Sequence, residues 1–248
     1  MTKIEWTETT WNPVTGCTPA SEGCVHCYAE RMARRLQLMG QAKYRDGFAV
    51  RTHPECLAQP SAWRKGRMVF VCSMSDLFHR EVPERFISHV FDAMETTPQH
   101  TYQVLTKRPE RMWEILSRRW DNRAPPAHIW CGTTIENQRR ADERMEWISE
   151  TPCAVRFVSV EPLIERLNIP LINSLDWVIC GSEAGPGARP MEMDWVRDIR
   201  DQCVASSVPF FFKQKLDGRK KISMPELDGR VWAQMPAAPC GQQGSLAI

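Results

Sequence analysis

Short, nearly unbroken apolar runs recur along this chain: Met68–Cys72, Tyr102–Leu105, His128–Cys131, Val155–Val160, Asp176–Cys180 and Pro209–Phe212. Runs this short, apolar at consecutive positions, predict strands covered on both faces. Helical periodicity fills most of the intervals. Pro83–Glu95 sets Phe86, Val90, Phe91 and Met94 on one stripe, and Pro109–Arg119 does so with Met112, Trp113 and Leu116. Gln138–Ser149 offers Ala141, Met145 and Ile148, and Met193–Ala205 offers Val196, Ile199 and Cys203. These spacings predict amphipathic helices laid on a sheet. Pro83 and Pro109 stand where a helix begins, because proline suits the first turn. Strand starts lie about 28 residues apart, close to one βαβ unit of ~30 residues.

The expected fold class is therefore α/β, with a parallel sheet that is either doubly wound or a barrel. A single parallel (β/α) barrel or partial barrel of about six to eight strands is the expected form. No linker divides the chain, so residues 1–235 read as one domain. From residue 215 onward the alternation is lost, and the Pro-, Gly- and Gln-rich stretch 236–248 reads as a loose C-terminal tail.

Each run ends in polar residues. Ser73, Ser75 and Asp76 come after the first run, Lys107 and Arg108 after the second, and Glu136 and Asn137 after the third. Glu161, Glu183 and Lys213 close the later ones. Active sites of parallel barrels and ligand crevices of open sheets both lie at the C-terminal strand ends. Ordinary turns call for Ser, Asn and Gly, with less need of Lys and Glu at matching positions. The reading is an active-site ring, and its structural competitor is a rim of paired charges.

Composition adds three constraints. A chain of 248 residues can bury a core without disulfides. No run approaches the ~18 apolar residues of a membrane span, and Met1–Thr10 lacks the apolar segment of a signal peptide. A cytoplasmic protein without membrane contact is expected. The net charge of +2 hides an uneven spread, with a basic first half that includes Arg31, Arg34, Arg35, Lys43, Arg64 and Lys65. That excess suits a phosphate-bearing partner or a set of solvated helix faces.

The ten cysteines then become informative, since thiols in a reducing compartment more often bind metal or react. Three of them, Cys17, Cys24 and Cys27, form a C-x6-C-x2-C pattern just before a helical stretch, Ala29–Met39. Gly16 and Gly23 precede two of them and let the backbone bend. Structural zinc takes four protein ligands, and so, in general, does a [4Fe–4S] cluster. His26, His79 or Cys56 is a candidate fourth ligand, while three cysteines alone leave one iron open. Cys72, Cys131 and Cys180 read as small apolar residues at strand ends, and Cys56, Cys153, Cys203 and Cys240 as free thiols.

Longer segments carry a resemblance. They include Thr10-Trp11-Asn12-Pro13-Val14-Thr15-Gly16-Cys17, Cys27-Tyr28-Ala29-Glu30, Ser73-Met74-Ser75-Asp76-Leu77-Phe78, Gln103-Val104-Leu105-Thr106-Lys107-Arg108-Pro109, Ser159-Val160-Glu161-Pro162-Leu163, Gly181-Ser182-Glu183-Ala184-Gly185 and Phe211-Phe212-Lys213-Gln214. In these the chain resembles a family of phage- and bacteria-associated proteins with a three-cysteine motif, themselves similar to radical S-adenosylmethionine (radical SAM) enzymes. The first cysteine gap is six here where three is commonest in that superfamily, His26 stands where an aromatic residue is common, and Ser182 replaces a glycine of a Gly-Gly-Glu pattern.

The resemblance implies a cysteine loop after the first strand, with Cys17, Cys24 and Cys27 on a [4Fe–4S] cluster and S-adenosylmethionine as cofactor. It further implies Ser73, Ser75, Asp76, Glu136 and Glu161 as cofactor-binding residues and Lys107, Glu183 and Lys213 as catalytic ones. The implied activity generates a 5′-deoxyadenosyl radical that modifies or repairs a nucleic acid or nucleotide. The electron would come from a donor such as a flavodoxin or ferredoxin. The alternative from the same cysteines is a zinc-stabilised nucleic-acid-binding protein without catalysis.

Overall fold

The computed structural model describes residues 4–237. An eight-stranded sheet forms in chain order from β1 (Thr9–Trp11), β2 (Met68–Val71), β3 (Thr101–Thr106), β4 (Ile129–Thr134), β5 (Val155–Val160), β6 (Trp177–Gly181), β7 (Phe210–Asp217) and β8 (Lys220–Ser223). All neighbours are parallel except the last pair. Sequential order and a single curl make this a partial (β/α) barrel. Five helices accompany it: α1 (Tyr28–Leu38), α2 (Glu84–Glu95), α3 (Pro109–Arg119), α4 (Gln138–Glu150) and α5 (Met193–Ala205).

The two sheet faces differ sharply. The convex face carries Val69, Val71, Tyr102, Val104, Val158 and Val160 against the helix stripes, including Phe86 and Val90 of α2 and Ile148 of α4. This is the main core. On the concave face, a separate cluster gathers Trp6, Trp130, Val155, Phe157, Trp177, Ile179 and Phe211. The Trp6 ring sits 4.7 Å from Phe70 and 6.1 Å from Trp177, edge-on to the latter. Gly132 makes room for this floor, since a Cβ there would lie 2.6 Å from the Phe157 ring.

Strand alternation explains what lies above the floor. Carried two residues past Leu105, Trp130 with Gly132, Ser159 and Phe211, the same face reaches Lys107, Thr134, Glu161 and Lys213. The concave face thus grades from apolar to polar along these strands, ending on charge at Lys107, Glu161 and Lys213.

Several expectations are corrected. The third expected run stops at Cys131, but β4 continues through Thr134, so Cys131 lies inside a strand rather than at its end. Past residue 215 no helix follows among the described residues, but β7 runs to Asp217 and turns back through Gly218 into the edge strand β8, whose polar residues escape an apolar-run criterion. The first strand is only three residues long, and pairs parallel with β2. At the open edge, Glu5 accepts hydrogen bonds from Lys221 and Ser223 of β8. Every cysteine among the described residues is a free thiol. Cys240 and positions 238–248 of the expected tail lie outside the described residues. No helix among the described residues is long and apolar enough to cross a membrane.

Candidate functional site

The loop between β1 and α1 carries Cys17, Cys24 and Cys27, all half-buried. It lies across the C-terminal ends of the strands and is fastened there at many points. Its entry is fixed by Gly16, whose φ is +80° and whose open side faces the Ala49 carbonyl so closely that no Cβ fits between them. The Gly16 N–H donates to the Met74 carbonyl, and Gly16 bridges in parallel to Ser75. Farther on, the Thr18 hydroxyl meets His79 Nε2 at 2.7 Å, and Arg108 donates to the Thr18 carbonyl at 3.0 Å.

Glu136 anchors the middle of the loop. It is fully buried and accepts from the Ser21 hydroxyl at 2.5 Å, from Lys107, and from Arg144 at 2.9 Å. Burial pushes its carboxyl up, but Lys107 and Arg144 outweigh that and hold it below the ordinary carboxylate value. Gly23 rests on this side chain, since a Cβ there would come within 2.5 Å of it. Arg144 is itself buried and also donates to the Thr134 carbonyl at 2.6 Å. Burial dominates Arg144 and lowers its pKa from the ordinary guanidinium value.

The far end of the loop docks on Glu183. His26 Nδ1 lies 2.9 Å from Glu183 Oε2, and Arg189 grips the same carboxylate through Nη2 at 2.6 Å and Nε at 3.1 Å. Burial opposes the charge, yet the Arg189 and His26 bonds bring the Glu183 pKa down to about 2. Arg31 of α1 donates to the Ala184 carbonyl at 2.7 Å, tying the helix to the loop after Glu183.

A third buried carboxylate, Asp76, holds the near end. Its oxygens accept from the Phe78 N–H, the Thr106 hydroxyl, the Lys107 N–H and Arg108. Arg108 Nη1 also reaches within 3.7 Å of the Cys17 sulfur. Burial foremost, then Asp76, pushes the Cys17 thiol up to about 11, against the pull of Arg108. Burial likewise raises Cys27.

The predicted site residues therefore do meet at one end of the sheet, but in pairs. Lys107 pairs with Glu136, Lys213 with Glu161 at 2.6 Å, and Glu183 with Arg189. Ser73 donates to Asn12 at 3.2 Å and Ser75 to the Val14 carbonyl at 2.8 Å, so both brace the strand leading into the loop. Sequence reasoning missed Arg144, Arg189 and Arg31. Arg144 left a signal, because it interrupts the apolar stripe Ala141–Met145–Ile148 of α4. Arg189 and Arg31 left none, since their partners are a loop carboxylate and a backbone carbonyl.

As placed, no three His, Cys, Asp or Glu side chains among the described residues converge tightly enough to hold a metal ion. In kind and number, however, the donors fit a three-thiolate set. Burial foremost raises both Cys17 and Cys27, and Cys24 adds a smaller upward push to each. His79 is occupied at both ring nitrogens, by Thr18 at Nε2 and by the Glu81 N–H at Nδ1, whereas Glu183 takes only Nδ1 of His26 and leaves its Nε2, beside Gly187, for another partner. Cys56 is buried in the segment after the cysteine loop, where its carbonyl accepts from Trp11. The loop thus supplies three thiols, with His26 Nε2 the candidate fourth donor beside them.

Residues 1–236 match the family described as protein of unknown function DUF5131, and the chain belongs to that family. No curated protein matches the sequence. Among solved structures, the chain is similar to a spore photoproduct lyase double mutant with bound AdoMet and dinucleoside spore photoproduct. The TM-score is 0.44 at 11% identity, over 78% of this chain and 60% of that one. A second structure, spore photoproduct lyase complexed with dinucleoside spore photoproduct, gives 0.39 at 12% identity, over 76% and 58%. The chain thus spans about three-fifths of the length of those lyase chains.

Proposed function

We propose that this chain is a radical SAM enzyme that modifies or repairs a nucleic acid or nucleotide. Cys17, Cys24 and Cys27 would hold a [4Fe–4S] cluster. The observation that carries the reading is the donor set: three thiols on one loop strapped over the C-terminal strand ends, with no fourth cysteine on that loop and both ring nitrogens of His79 taken. Three protein sulfurs are one short of what structural zinc takes. When bound, such a cluster would supply the one electron that breaks the C5′–S bond of S-adenosylmethionine, giving methionine and a 5′-deoxyadenosyl radical.

The chain's own residues orient and shield. Asp76 and Arg108 steady the Cys17 side of the loop, Glu136 its centre and Glu183 its His26 side. The aromatic floor under them closes the concave face to water from below. Lys213 and Glu161 form a half-buried pair on the same rim, suited to gripping a polar substrate group when the pair opens. The exposed ring of Tyr28 and the exposed Arg34 and Arg35 flank the cysteine loop and suit a base and its phosphates. A flavodoxin or ferredoxin is the proposed electron donor.

Anaerobic purification with iron and sulfide analysis tests the reading. A brown protein with a broad thiolate-to-iron absorption band supports it, and a colourless protein holding one zinc overturns it. With dithionite and S-adenosylmethionine, 5′-deoxyadenosine should form in the wild type and in Cys131→Ala, and be lost in Cys24→Ala.

A further inference from the structure

A cleft of about 590 Å³ opens between the loop that follows Glu183 and the β7–β8 hairpin. Its volume lies in the range of small-molecule sites. One wall is preformed. Arg31 and His26 pin the 183–189 loop from the other side, and Gly185 and Gly187 adopt left-handed backbone beside those two side chains. The opposite wall is the hairpin, where register sets Lys215 directly across from Ile222. Ala188, Pro190, Met191 and Met193 supply apolar surface.

Two polar groups in this cleft lack partners. Ser182 is 2% exposed, and its hydroxyl makes no hydrogen bond. Leaving such a group buried and unpaired costs about 1–3 kcal/mol, so its position calls for a partner. Lys215 is half-buried, and no ion pair among the described residues engages it, whereas Lys107 and Lys213 on the same sheet are both paired. Arg189 also lines the cleft but is neutralised by Glu183. Asp217, exposed at the hairpin tip, is the cleft's remaining carboxylate. A half-buried ammonium and a buried hydroxyl in a cleft lined by both polar and apolar side chains suit one ligand chemistry.

We propose that this cleft binds a small organic anion with an apolar body, its negative group on Lys215 and Ser182 and its body against Met191, Met193 and Ile222. The site lies on the side of the 183–189 loop away from Arg31 and His26. The probe is 1-anilinonaphthalene-8-sulfonate, an anion on an aromatic body, titrated into the protein as purified and followed by fluorescence. N-phenyl-1-naphthylamine, the same body without the sulfonate, is the neutral control. The expected result is saturable binding of one sulfonate probe per chain. Lys215→Ala should weaken it at least about tenfold, as loss of a charge-assisted hydrogen bond implies. Lys215→Arg should keep affinity within about threefold, Ser182→Ala should weaken binding more modestly, and the neutral probe should be indifferent to Lys215→Ala. Equal sulfonate affinity in the wild type and Lys215→Ala overturns the proposal, as does an absence of saturable binding to the wild type. Circular dichroism of each variant separates lost binding from lost fold, and the similarly sized Lys215→Met supplies a second test should the alanine variant misfold.

Discussion

Replacing Glu136 by Gln keeps the side-chain volume and removes only the charge. In the wild type that carboxylate faces Lys107 and Arg144 with essentially no access to solvent. The Lys107 side chain is 20% exposed and can recover water, but that of Arg144 is 6% exposed and cannot. The glutamine would also turn an amide N–H toward one of the former donors. Breaking a buried pair from one side costs about 3–5 kcal/mol, because a charge is stranded. The partly exposed lysine puts the expectation near the lower end, about 3 kcal/mol. For a chain of this length that corresponds to a fall in Tm of about 10 °C. Urea unfolding followed by tryptophan fluorescence measures it. Arg144→Met should cost a comparable amount alone, and the double variant should fall short of the sum by more than about 1 kcal/mol. A Glu136→Gln loss below about 1 kcal/mol, or strict additivity, would refute the view that Glu136 is the buried anchor of the cysteine loop.

Two further outcomes rest on the geometry. The Glu183 pKa lies near 2, below the ordinary 4.5, so the stability it contributes is complete above about pH 4.5 and is lost as pH falls toward 2. Thermal unfolding across that window should show a steeper acid loss for wild type than for Glu183→Gln; parallel curves would contradict the assignment. Gly132→Ala drives a methyl into the Phe157 ring and should cost about 1–3 kcal/mol by overpacking, whereas a neutral result in urea unfolding would mean that the aromatic floor yields.

Much of the architecture was legible because a parallel sheet buried on both faces leaves continuous apolar runs, and these runs located β2 to β7. The hairpin partner β8 was not legible, since Lys220–Ser223 is an exposed edge strand with nothing apolar to betray it except Ile222. The rim residues were legible as a group, because Lys and Glu at corresponding strand ends are unusual in plain turns. Their pairing was harder to read. Glu136 meets Ser21 across 115 positions and His26 meets Glu183 across 157, and nothing local at Ser21 or His26 records such a partner. Arg144 was the exception, a charge on a core stripe whose cost demanded a buried anion.

The bond between Glu5 and Lys221 spans 216 residues. Joining ends that far apart in a flexible chain costs about 5 kcal/mol of loop entropy beyond a constant, so this contact cannot lead folding and must be secured by the strands already assembled between its ends. On a ribosome, Trp6 would emerge early yet find its partners Phe157 and Trp177 only after most of the chain has been made. Until then its indole has only Phe70 of its native ring partners, and the concave face stays open to whatever apolar surface reaches it first. The completed floor is thus a record of synthesis order, with Trp6 made before Phe157 and Trp177 and settling only when they arrive.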